Sequence, residues 1–148
     1  MSRLLYDETS ISSIKEYAQR LENKTIDSVN FAQHSYAGRN QDILENQEER
    51  NKNNKGGFGN FLEVAYFGKK NDNKSQPDFL LAGLELKVSP LKTLSNYDVK
   101  VKERLVLNHF TFTDLDKEFF ETSHFKEKNE NILIVFYFYD KEDRKSVV

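Results

Sequence analysis

The sequence predicts an α/β protein, a mixed central β-sheet flanked by α-helices, on three observations. Ile132 to Tyr139 is an unbroken apolar run of strand length, the pattern of a strand covered on both faces at the centre of a sheet. Apolar residues recur at helical spacing twice, as Ile14, Tyr17, Ala18 and Leu21 and as Phe58, Phe61, Leu62 and Ala65. Between Asp78 and Lys87 the period changes to two, the period of a strand. The 148 residues suit one domain, and we read residues 1–148 as a single unit.

Composition narrows the function classes. Hydrophobic content is 37%, but 12 Phe and 7 Tyr let a few large rings supply much of the buried area. With no cysteine there are no disulfides and no thiolate-bound zinc, and His34, His109 and His124 are too scattered to make a zinc pair. No apolar run is long enough to cross a bilayer, and acids interrupt the start before a signal peptide is complete, so a cytoplasmic protein is expected. The net charge of -2 announces no partner by itself. Acids gather between Asp42 and Glu49, whereas Lys69, Lys70, Lys74, Lys87, Lys92, Lys100, Lys102 and Arg104 surround the central stretch.

In chain order, Ser13-Ile14-Lys15-Glu16 reads as a capping box opening the first helix. Thr25 to Phe31 suggests a second short helix, and Arg39 to Lys55 is a polar segment expected to be mobile. A helix is expected from about Phe58 to Phe67, with Glu63 beside its apolar stripe. The glycines before it do not make a phosphate loop, since no Gly-Lys-Ser/Thr follows. Past Pro90 a polar connection, Lys92 to Asp98, leads to an expected strand at Lys102 to Asn108. Asp114 to Phe120 has helical character before the final apolar strand.

The chemistry lies in Asp78-Phe79-Leu80-Leu81-Ala82-Gly83-Leu84-Glu85-Leu86-Lys87. If Ala82-Gly83 is a two-residue hairpin turn, Leu81 faces Leu84, Leu80 faces Glu85, Phe79 faces Leu86 and Asp78 faces Lys87. Phe79, Leu81, Leu84 and Leu86 then go to the core, and Asp78, Glu85 and Lys87 share the other face. Two carboxylates held close repel unless a cation lies between them, and magnesium takes such oxygen ligands together with phosphate oxygens and water. A neighbouring ammonium can orient attacking water and offset charge on phosphorus oxygens. The same spacing also serves as an ordinary surface ion pair on an exposed strand, so spacing alone leaves both readings open.

Further blocks carry a resemblance. Lys55-Gly56-x-x-Gly59-x-x-x-Glu63, Asp78-Phe79-x-x-x-Gly83-x-Glu85-Leu86-Lys87-x-x-Pro90, Lys102-Glu103-Arg104-Leu105-Val106-Leu107-Asn108 and Glu121-Thr122-Ser123 together resemble the MutH-like endonucleases. That family joins a mismatch-repair nicking enzyme to type II restriction enzymes that cleave at GATC. The Lys102 to Asn108 block and Lys128-Asn129 are closer to the restriction branch. The resemblance implies a restriction-endonuclease-like core and a magnesium-dependent DNA endonuclease, with manganese as a substitute ion. It implies Asp78 and Glu85, with Leu86 between acid and amine, as the metal residues, and Lys87 as the group serving the attacking water. Glu63 would face the site from its helix, and Lys128 would touch the scissile phosphate. Double-stranded DNA is the implied partner, with a dimer on DNA left open. Family members continue past the equivalent of Tyr139 into a DNA-reading lobe, so a catalytic-domain fragment is expected. The alternatives are a strand-nicking repair enzyme and a non-catalytic DNA-binding module on the same fold.

Overall fold

The computed structural model describes residues 5–25, 58–59, 62–69, 75–107, 117, 119–139 and 146–147. The expected polar segment Arg39 to Lys55 and nearly all of the expected helix at Thr25 to Phe31 lie outside these residues, as does most of Asp114 to Phe120.

Helix α1 runs Ile11–Gln19 and buries Ile14 and Tyr17, two of the residues that predicted it. Its cap lies three residues before the expected one. Ser10 accepts the amide of Ser13, while the Ser13 hydroxyl accepts the amide of Asp7 at 2.9 Å. Ser13 is therefore inside the helix, and its oxygen secures the entering chain rather than the first turn.

The second helical segment is present at Phe58 and Gly59 and again as a π-helical turn at Leu62–Tyr66. The wider turn closes with the Phe67 amide donating to the Leu62 carbonyl at 3.1 Å. It lets two consecutive rings, Tyr66 and Phe67, enter the core, each 1% exposed. Carbonyls left over at its end are met by core tyrosines: Tyr17 donates to Tyr66 O at 3.2 Å and Tyr6 to Phe67 O at 2.7 Å. Tyr66 returns a bond to Tyr17 O at 2.8 Å, and the Tyr17 and Tyr66 rings stack at 4.5 Å. These hydroxyls permit an aromatic core without orphaned polar atoms at those positions.

Strands β1 (Leu84–Thr93), β2 (Val99–Val101), β3 (Asn131–Tyr139) and β4 (Ser146–Val147) form one sheet in the order β2-β1-β3-β4. β1 and β3 are parallel, and the β1–β2 and β3–β4 pairs are antiparallel, so the sheet is mixed as expected. Helix α2 (His124–Asn129), capped by Ser123, leads directly into β3.

Two strand expectations are corrected. β1 continues through Pro90 to Thr93, and β2 ends at Val101, so Lys102 to Leu107 is not a strand. Proline explains the end of the ladder. Lys102 donates to the Pro90 carbonyl at 2.8 Å, but Pro90 has no N–H to return the bond.

The sheet's two faces differ. Leu86, Val88, Leu133 and Val135 pack with α1 and the π-helical turn, and Phe58 meets Tyr137 at 4.3 Å. On the other face Ile134, Phe136 and Phe138 are 37%, 45% and 36% exposed, so β3 is not covered on both faces to the extent its apolar run implied.

The central hairpin also departs from expectation. Phe79 pairs with Leu84 rather than Leu86, so the loop is four residues, Leu80 to Gly83. Gly83 has a φ of +61°, the left-handed conformation foreseen for it. Leu81, expected in the core, is 68% exposed, whereas Phe79 is 0% exposed. The register differs by two residues, an even shift that keeps Phe79, Leu84 and Leu86 on one face. Phe79→Ala should therefore lower stability by about 3–4 kcal/mol, and Leu81→Ala should change it by no more than about 0.5 kcal/mol. Urea unfolding of the two variants checks this; equal losses would mean that the two-residue turn is correct.

Candidate active site

The four-residue loop brings Asp78 opposite Glu85, and the two residues bond reciprocally through the backbone. The Asp78 amide donates to Glu85 Oε2 at 3.3 Å, and the Leu86 amide donates to Asp78 Oδ2 at 2.8 Å. Both carboxylates are thereby held at the first turn of β1.

Glu85 is 2% exposed yet has cationic neighbours. Lys87 Nζ donates to Glu85 Oε1 at 2.7 Å, and Lys128 Nζ stands 3.6 Å from the same oxygen. Lys87 arrives by strand periodicity, two residues along the same face. Lys128 arrives by topology, because Leu84 pairs with Asn131 and the end of α2 is thus delivered beside the start of β1. Two ammonium groups at one carboxylate make the buried charge tolerable without a further ion.

Asp78 is the less compensated partner. Burial pushes its carboxyl up to about 6, the Leu86 amide pulls it down, the neighbouring Glu85 raises it and Lys87 lowers it. A cation brought to these oxygens would favour the charged carboxylate and so oppose the upward push of burial.

Leu86 sends its side chain to the core at 8% exposed and its amide to Asp78, so only its carbonyl could serve an ion. Glu63 is half-buried on the π-helical turn and does not join Asp78 and Glu85 in a three-acid metal group; no group of three acids or histidines exists among the described residues. Asp78, Glu85, Lys87 and Lys128 are brought together, and Glu63 is not shown with them.

Sequence reasoning missed two supports. Asn131 Nδ2 donates to Gly83 O at 3.3 Å, tying the start of β3 to the hairpin that carries Asp78 and Glu85. Ser123 caps α2 and so positions the helix that carries Lys128. A serine before a short polar helix was a readable cap signal, whereas nothing local marks Asn131, whose partner is distant in sequence.

The displaced pKa has a sign that can be tested. Between the ordinary carboxyl value of 3.8 and about 6, the folded state keeps a proton that the unfolded chain has lost. Metal-free stability attributable to Asp78 therefore falls as pH rises through that window and levels off above it. Asp78→Asn should stabilise the metal-free protein at neutral pH by roughly 1–2 kcal/mol, discounted for partial exposure, with the gap closing as pH is lowered. Denaturant titrations along a pH series, in chelator, measure it.

Residues 67–147, more than half of the chain, match the family model described as DNA mismatch repair enzyme MutH. The chain is also 45% identical over 100 residues to the type II restriction enzyme Sau3AI of Staphylococcus aureus. That match covers 67% of this chain and 20% of the relative, so the chain spans about a fifth of the relative's length. With the Asp78–Lys87 hairpin, β1, α2 and β3 all inside the matched region, the chain belongs to the MutH family.

Proposed function

We propose that this chain is the catalytic domain of a magnesium-dependent type II restriction endonuclease that hydrolyses DNA phosphodiester bonds at or near GATC. The observation that carries the reading is the convergence of Asp78, Glu85, Lys87 and Lys128 at one end of β1. Family membership and the similarity to a restriction enzyme support the substrate class, and the restriction-branch blocks support GATC.

The donor set fits a hard divalent ion. Asp78 and Glu85 offer oxygens only, and a pair of carboxylates suits an ion that keeps water and takes substrate phosphate oxygens. Asp78, Glu85 and the Leu86 carbonyl would hold magnesium, or manganese in its place. The ion would supply Lewis acidity toward the phosphoryl oxygens and make a bound water more acidic.

The chain's own residues divide the remaining work. Lys87, anchored on Glu85, holds the attacking water by a hydrogen bond and faces the charge that builds on the phosphorus oxygens. Lys128 approaches from α2 and binds a non-bridging oxygen of the scissile phosphate. Glu63 orders the site from the π-helical turn in this reading, supported by the resemblance alone.

In the intact protein, Lys87→Ala should lower the rate of cleavage of GATC-containing plasmid with magnesium by about 100-fold or more. A wild-type rate would sink the mechanism. The same gel separates restriction from repair activity, since a restriction enzyme linearises the plasmid and a nicking enzyme leaves open circles.

A further inference from the structure

We propose that the β1–β2 hairpin beyond Pro90 is a basic arm that grips the phosphate backbone of duplex DNA flanking the cut, through Lys92 and Lys100, with Tyr97 at its tip. The proposal rests on the nuclease reading above and adds to it a binding surface outside the catalytic cluster.

The register supplies the first observation. Lys92 and Lys100 are direct partners across the antiparallel pair, both exposed. Like charges placed opposite each other weaken a ladder, so this pair is not explained by the fold. Among the described residues neither lysine has a carboxylate partner. Lys102 follows just past the end of β2, and the nearby acid Asp98 is engaged by the side chain of Asn96.

The loop supplies the second. The Leu94 amide donates to Asp98 O at 2.8 Å and the Tyr97 amide to Leu94 O at 2.9 Å, closing a tight turn. Tyr97 occupies its left-handed position with a φ of 64°, where glycine or asparagine would be unstrained. Its side chain is nevertheless 88% exposed. A bulky residue kept in a strained conformation with its ring in solvent points to a contact made outside the protein, and a tyrosine hydroxyl is a common donor to phosphate.

The distance suits a flank. Lys92 lies five strand residues beyond Lys87, roughly 16 Å, or about half a turn of duplex. The pleat sends Lys92 to the opposite side of the ribbon from Lys87, so the two cannot share a phosphate. The arm meets the backbone away from the scissile bond, independent of base sequence.

The test is fluorescence anisotropy of the full chain with labelled duplexes, one containing GATC and one lacking it, in chelator and across a series of NaCl concentrations. K92Q/K100Q should lower the slope of log affinity against log salt by about 2 and weaken both duplexes equally. K15Q/K24Q, which removes two exposed lysines near α1, should leave the slope near wild type. Tyr97→Gly should melt at a higher temperature yet bind several-fold more weakly. An unchanged slope in K92Q/K100Q, or an equal loss in K15Q/K24Q, overturns the arm alone. Unaltered binding by Tyr97→Gly overturns the role of the tip. If the wild-type chain binds neither duplex, the arm falls, while the plasmid-cleavage assay with magnesium decides the nuclease reading separately.

Discussion

The reciprocal bonds between Asp78 and the Glu85–Leu86 step hold the rest of the site in place. One amide goes each way across the hairpin, Asp78 to Glu85 and Leu86 to Asp78. They set the pairing of the two carboxylates, and they put Glu85 below the surface, where its charge must be answered. Lys87 and Lys128 answer it. The arrangement leaves Asp78 less compensated than Glu85, with the Leu86 amide bonding its carboxylate and burial pushing its pKa up.

The core beneath keeps this hairpin still. Phe79, next to Asp78, is fully buried and meets Phe67 at 5.4 Å and Tyr6 at 6.0 Å, both edge to face. Tyr6 also satisfies the Phe67 carbonyl through its hydroxyl, as Tyr17 does that of Tyr66, so the same rings close the end of the π-helical turn. Rigid aromatic packing behind one strand residue and reactive groups on the next is a direct use of the two-residue pleat.

β1 lies in two different environments along one strand. Its first half lies between the hairpin and β3 and holds the carboxylates and Lys87. Its second half leaves that environment after Leu91, where Lys92 and Thr93 pair with the edge strand β2 alone. Proline lies where the ladder stops, so the arm is short and ends in an irregular segment, Lys102 to Leu107, exposed in water despite Leu105, Val106 and Leu107.

By itself the sequence determined the fold class, the first helix face, the β3 strand and the shared face of Asp78, Glu85 and Lys87. Each of these follows from a local period that any register differing by an even number preserves. The π-helical turn was decided by partners remote in sequence, whereas the four-residue loop, the cap at Ser10 and the end of β2 were choices among nearby partners that periodicity leaves open. Local pattern cannot choose between turns of equal parity, nor see a tyrosine hydroxyl waiting for a carbonyl. Lys128 stands between the two. Its block resembled the family's, but its place beside Glu85 exists only because the parallel pairing of β1 with β3 aligns Leu84 with Asn131 and sets the end of α2 against the start of the catalytic strand.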